Sequence, residues 1–220
     1  MKFEKLKNRY KVCTAVSALI AAVLVVFVGC DRGRSYDESE ISSAAAELIE
    51  SSYEINEIFF GRGLPTVSTE GQNGSEAADG KTSDGEAYGS TARYAEVSEE
   101  SPYHTEDEIR TAALLVYTPS YCEALFETAF SGGSGSGDSG SVLYARYVDY
   151  NGILTARILD EDEILPINRT YDTGSITVVS QKNGSAKIKV PSFKDGVPSD
   201  DITLSVVLTD DGWRLDTPTY

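Results

Sequence analysis

Apolar positions recur at helical spacing between Asp37 and Phe59. Ile41, Ala45, Leu48, Ser52, Ile55 and Phe59 step by four, three, four, three and four residues, which draws one stripe down a helix. Asp37 suits the N-cap, with Glu38 and Glu40 in the first turn, and Gly61-Arg62-Gly63 followed by Pro65 marks the exit. A second start signal is Thr105-Glu106-Asp107-Glu108, a capping box ahead of Ile109, Ala112, Ala113 and Val116. Thr118-Pro119 ends that helix and opens another to about Phe130, because proline fits only the first helical turn. Cys122, Leu125, Phe126 and Ala129 fall on its inward side. The two short helices are predicted to form a bent pair.

Beyond Ser131–Ser141, which reads SGGSGSGDSGS, the period changes to two. Val142–Tyr150 alternates as a strand, and Asn151-Gly152 is a hairpin signal closing it onto Ile153–Leu159. Ser175–Ser180, Ala186–Val190, Ile202–Thr209 and Trp213–Leu215 follow as strands, with Asn183-Gly184 and Asp210-Asp211-Gly212 as turns. Helices first and successive hairpins after predict an α+β fold. An N-terminal helix and a bent helix pair would pack on a curved antiparallel sheet of about five or six strands, covered on one face. Two stretches, 68–101 and 131–141, are predicted to be flexible insertions in a single domain spanning 38–220. Residues 68–90 are acidic and carry few large apolar side chains, so ordering them would bury too little. Tyr94–Val97 is expected to pair briefly with the folded body.

The front of the chain has a different pattern. Lys2, Lys5, Lys7, Arg9 and Lys11 stand against a single Glu4, and an uncharged run from Val12 to Gly29 follows. A basic head, an apolar run and a small residue at the end form an export signal. Phe27-Val28-Gly29-Cys30 resembles a bacterial lipobox, although Phe27 stands where that motif usually has leucine. The resemblance implies a signal peptide over 1–29, lipid on Cys30, and a tether over 30–37. Val12–Cys30 is also close to the roughly 20 residues that span a bilayer as a helix. An uncleaved anchor is therefore the alternative, and both readings place the domain outside the cytoplasmic membrane.

Charge changes the list of partners. The whole chain carries −16, and the head holds five basic residues against one acidic one, so residues from Cys30 onward carry −20. Such a surface repels nucleic acid and anionic lipid headgroups. Cysteine use is sparse: Cys13 lies in the signal and Cys30 at the proposed anchor, leaving Cys122 alone in the domain without a disulfide partner. His104 is the single histidine, at the edge of a low-complexity stretch. A Cys122–His104 couple would need both side chains held rigidly together, and Cys122 on an inward helical stripe reads as a small hydrophobe. No zinc-type Cys/His cluster exists. Asp160-Glu161-Asp162-Glu163 offers oxygen ligands but lacks the alternation and central glycine of a calcium loop, so it reads as a solvated turn. Tyr144, Tyr147, Tyr150, Tyr171 and Trp213 fit half-buried sheet faces, with partner binding as the second reading. No catalytic residue, metal ligand or cofactor is assigned from these patterns.

Three runs carry a wider resemblance: Phe59-Phe60-Gly61-Arg62-Gly63-Leu64-Pro65, Tyr117-Thr118-Pro119-Ser120-Tyr121 and Gly212-Trp213-Arg214-Leu215-Asp216. Their order resembles NTF2-like (cystatin-like) α+β domains, and also secreted inhibitors of cell-wall DL-endopeptidases from Gram-positive bacteria. That resemblance implies a non-catalytic module at the cell surface, with a cell-wall hydrolase or another surface protein as partner. The alternatives are an NTF2-like small-molecule binder or degenerate enzyme with its ligand between helices and sheet, and a structural or sensory lipoprotein.

Overall fold

Three helices lie against one side of a strongly curled antiparallel sheet in the computed structural model, which describes residues 35–67, 92–134 and 142–220. The α+β architecture is the one the pattern predicts. Helix α1 (Glu38–Phe59) starts at Asp37, whose carboxylate accepts from the Ser39 N–H at 2.8 Å, and all six residues of the predicted stripe are buried. Helix α2 (Glu106–Val116) opens with both halves of the Thr105/Glu108 capping box in place. Helix α3 (Pro119–Phe126) has Pro119 in its first turn and continues as a π-turn, Glu127–Ser131. The stretch 12–30 lies outside the described residues, and among the described residues no helix is long and apolar enough to cross a membrane.

The described residues hold ten strands, numbered in chain order, the first of them lying between α1 and α2. They are β1 (Tyr94–Glu96), β2 (Gly133–Ser134), β3 (Val142–Leu143), β4 (Tyr147–Tyr150) and β5 (Ile153–Arg157), then β6 (Arg169–Tyr171), β7 (Thr177–Lys182), β8 (Ser185–Lys194), β9 (Val197–Thr209) and β10 (Gly212–Leu215). Five of them form the main sheet, ordered β10-β9-β8-β6, with β7 also paired to β8. Ala186, Ile188, Val190, Leu204, Val206 and Leu215 point inward and are essentially inaccessible, while Lys187, Lys189 and Thr203 lie exposed between them. That alternation is the mark of a sheet covered on one face. Ile41, Ala45, Ile49, Ile109 and Ala113, each fully buried, meet it from the helices. The helix–sheet interface is filled by side chains.

Several strand boundaries differ from expectation, each for a local reason. Residues 142–150 are two strands rather than one: at Arg146 the carbonyl still accepts from Arg157 N on the neighbouring strand, but the N–H turns to Ala129 O and the side chain to the end of α1, as described below. Strands β8 and β9 form one long hairpin about Asp195-Gly196, whose φ angles of +53° and +76° suit a tight turn of the kind aspartate and glycine allow. Pro191 sits at a register shift in β8, where its missing N–H interrupts no regular pairing. The expected insertion 68–101 is ordered from Ala92 onward: β1 pairs with β5, Tyr94 donates to Ala145 O at 2.6 Å, and Val97 is buried. Residues 68–91 lie outside the described residues. Likewise 131–134 are ordered, with β2 paired to β3, while 135–141 lie outside.

Candidate functional site

The end of α1 is where sequence-distant charges collect. Asn56 O accepts from the backbone N–H groups of Phe60 and Gly61, Glu57 O from that of Gly63 and Phe60 O from that of Leu165, which leaves Ile58 O and Gly61 O among the carbonyls to be satisfied at the negative end of the helix dipole. Arg146 supplies the remedy: its Nε donates to Ile58 O at 2.7 Å and its Nη2 to Gly61 O. Tyr147 OH also donates to Ile58 O, at 2.8 Å, and accepts from Leu64 N at 3.1 Å. Glycine is required at Gly63, where φ is +84° and a Cβ would fall 2.9 Å from Arg146 Nη2. Arg146 N–H reaches Ala129 O at 2.7 Å, so the π-turn is tied to the same point. Charge-assisted bonds of this kind are worth about 1.5–3 kcal/mol. Arg146→Met, which keeps the stem and loses the fork, is expected to lower stability by about 2 kcal/mol in chemical denaturation.

A groove of about 400 Å³ opens beside this helix end. Phe59 comes from the last turn of α1 and Phe60 from its C-cap, Leu125 from α3 and Ala129 from the π-turn, and Leu159 follows β5; together they make its apolar lining. Phe130 stacks against Phe59, Phe126 and Tyr147 with ring centroids 6.0–6.2 Å apart, stiffening the wall behind it. The polar groups are Arg146, Arg157, Tyr144, Thr128 and Glu163. Arg157 donates through Nη2 to Glu163, and its guanidinium carbon lies 5.6 Å from the Tyr144 ring centroid. Glu163 sits on a short 3₁₀ turn, Glu161–Glu163, and its other oxygen accepts from Asp160 N at 3.1 Å. The acidic run 160–163 is thus a capped turn that places one carboxylate on Arg157, and Arg93 approaches Asp160 at 3.4 Å.

A larger depression of about 530 Å³ lies over α2 and α3 and is lined in part by Arg110, Glu123 and Glu127. Arg110 there is clamped by Glu106 and stacks 4.5 Å from the centroids of both Phe126 and Phe130. Glu106 holds Arg110 much as Glu163 holds Arg157, but the depression has two carboxylates, Glu123 and Glu127, beside its one arginine, whereas the smaller groove has two arginines beside one carboxylate and is the better site for an anionic ligand.

The residues weighed from sequence do not assemble into a catalytic centre. Cys122 is inaccessible, and burial pushes its thiol up to about 11, far from a thiolate at neutral pH. His104 is exposed beside the α2 cap, where its backbone N–H donates to Glu108. Among the described residues no group of three or more His, Cys, Asp or Glu is placed to hold a metal ion. Among the described residues Glu163 is the one carboxylate lining the groove, whereas glycoside hydrolysis uses two. Tyr147, Tyr171 and Trp213 are buried, Tyr144 is half-buried at the groove, and Tyr150 is 55% exposed. Cys30 lies outside the described residues. Compared with known protein families, curated proteins and solved structures, the chain matches none.

Proposed function

We propose that this chain is an exported lipoprotein, lipid-anchored to the bacterial membrane at Cys30, whose folded domain is a non-catalytic binding module. The groove beside the end of α1 is its contact site, and a cell-wall hydrolase is the partner class. The observation that carries the reading is the groove's composition: apolar walls, two guanidiniums, one carboxylate and no nucleophile beside a base. Such a lining suits holding and orienting a ligand, and its carboxylate, Glu163, is engaged by Arg157 and by Asp160 N. The alternative of a small-molecule cavity between helices and sheet meets an interface filled by Ile41, Ile49, Ile188 and Leu204.

An anchor at Cys30 would leave only a short tether. Tyr36 is clipped to the sheet by the Gln181 side chain, which accepts from Tyr36 N at 2.9 Å and donates to Tyr36 O at 3.0 Å, and the Tyr36 ring meets Trp213 edge-on at 5.3 Å. Six chain steps from Cys30 to Tyr36 reach about 20 Å at full extension. A domain on so short a leash meets its partner near the membrane surface. Metabolic labelling with a lipid probe is expected to mark the wild type and not Cys30→Ala; label retained by the variant would refute the anchor. The mature domain is expected to slow peptidoglycan hydrolysis by a captured hydrolase while showing no hydrolysis of its own. Failure to bind any cell-wall hydrolase would sink the partner class.

A further inference from the structure

Two guanidiniums face one carboxylate in the groove, and that imbalance points to its occupant. We propose that the groove binds a carboxylate carried on a short apolar or aromatic body, with Arg157 as the anion contact and Glu163 as its displaceable internal stand-in. The proposal rests on the groove being the contact site of the binding module. Arg146 has its donors directed at Ile58 O and Gly61 O, and among the described residues it forms no ion pair. Its Nε–Nη2 edge is thus taken by the helix end, and it adds positive potential to the groove. Arg157 is the fork that can exchange partners: its face lies over Tyr144 and its Nη2 is held by Glu163.

Glu163 makes a weak lock. It stands on an exposed turn, its side chain 35% accessible, and among the described residues its hydrogen-bond partners are Arg157 and Asp160 N. The pair is partly open to solvent, with the Arg157 side chain 22% accessible, and Glu163 buries no apolar body in the groove, so a carboxylate that also covers Phe59, Phe60, Leu125 and Leu159 has the added burial with which to displace it. About 400 Å³ is room for a ligand of that size. The adjoining Asp160, Glu161 and Asp162 repel a doubly charged anion more than a singly charged one, which favours carboxylate over phosphate.

The test is titration of the full chain with 4-phenylbutanoate, its amide, N-acetyl-Leu-Phe as acid and amide, and inorganic phosphate, followed by NMR shifts. Both acids are expected to bind at least about tenfold tighter than their amides, the margin a charge-assisted fork provides. Glu163→Gln should tighten acid binding roughly two- to fivefold by removing the competitor. Arg157→Gln should abolish the acid–amide difference, and Arg157→Lys, which keeps charge without the fork, should retain part of it. The tighter of the two acids identifies the source, a small organic acid or a peptide C-terminus. Equal binding of acids and amides, preference for phosphate, or no binding by wild type and Glu163→Gln at millimolar ligand would overturn the proposal. Hydrolase capture that persists alongside such a result would leave the binding-module reading standing and remove the carboxylate alone.

Discussion

Asn56→Asp is expected to cost about 4 kcal/mol at neutral pH and almost nothing in acid, although the two side chains have the same shape. Asn56 is 1% exposed and sits in a closed network of side chains. Its Nδ2 donates to Thr219 Oγ1 at 2.8 Å and its Oδ1 accepts from Tyr117 OH at 2.9 Å. Thr219 Oγ1 lies 2.7 Å from Ser52 Oγ and 3.0 Å from Tyr117 OH, and Ser52 donates to Ile49 O at 2.6 Å. Among the described residues the cluster's hydrogen-bond partners are hydroxyls, an amide and a carbonyl, none of them a cation, so an introduced carboxylate would be buried without a counter-charge. Full burial raises a carboxyl pKa by about three units or more, or about 4 kcal/mol at 1.36 kcal/mol per unit. The sign follows from proton counts. Above the unfolded value near 3.9 the unfolded chain binds fewer protons than the folded one, so the variant loses stability as pH rises. Below that value the protonated acid donates to Thr219 and accepts from Tyr117 as the amide does. Asn56→Ala is the control: Tyr117, Thr219 and Ser52 can still donate in sequence toward Ile49 O, so it should cost about 2 kcal/mol, mostly for the small cavity, at every pH. Thermal unfolding between about pH 4 and pH 8 separates the two. At roughly 2–4 °C per kcal/mol, the aspartate variant should melt some 8–16 °C below wild type at neutral pH. A pH-independent gap for both variants would show that the network does not govern stability.

That network was half legible in the sequence. Ser52 falls on the apolar stripe of α1 and Asn56 one turn later, but their partners, Tyr117 and Thr219, are far away in the chain. Features set by neighbouring residues were readable: the Thr105 capping box, Pro119 at a helix start, and the turns Asn151-Gly152 and Asn183-Gly184 with positive φ at both positions. Features set by long-range pairing were not. Pro191 and Pro198 argue against a continuous β8–β9 ladder, yet both are tolerated. Pro191 lies at the register shift, and Pro198 lies on a stretch of β9 beyond the reach of β10, which pairs only with Val206–Thr209. Along that stretch one edge of β9 is open. Strand β6 is three residues long and carries no alternation of its own.

The groove was less legible than the fold. By alternation Arg146 belongs on the same face as Tyr144 and Val148, where an arginine reads as solvated. What recruits it inward is the unsatisfied end of α1, 88 residues away from Ile58 to Arg146 in the chain. Glu163 read as one acid in a solvated run; its turn is capped, and only its proximity to Arg157 distinguishes it from Asp162. Charge complementarity across such distances leaves no periodic trace, and a single chain shows only that the residues are present.

The same buried hydroxyls make the domain sensitive to base. Burial pushes the Tyr117 phenol up to about 12 despite its hydrogen bonds to Thr219, Ser52 and Asn56, and the Cys122 thiol up to about 11. Burial likewise holds Tyr121 and Tyr171 above the ordinary phenol value. In the unfolded chain these groups ionise near 9 for the thiol and 10 for the phenols. Between those values and the folded ones the unfolded state has released protons that the folded state retains, so stability declines as pH rises. It is intact below about pH 9, begins to fall through Cys122, and falls further from about pH 10 to about 12 through Tyr117. Each of the two contributes up to about 3 kcal/mol at 1.36 kcal/mol per unit, so a loss of about 3–5 kcal/mol is expected by pH 12. Tyr103, also raised, is partly exposed and adds less because solvent screens it. Denaturation midpoints measured from about pH 8 to pH 11.5, with tyrosinate absorbance followed in parallel, test this. Tyrosinate from the buried phenols should appear only with unfolding. Cys122→Ala should delay the onset by about one pH unit, and Tyr117→Phe should flatten the slope above pH 10 by one proton, about 1.4 kcal/mol per pH unit. A midpoint that stays level to pH 11.5 would mean that these side chains reach water without unfolding, and that the packing around Thr219 opens far more readily than its hydrogen bonds imply.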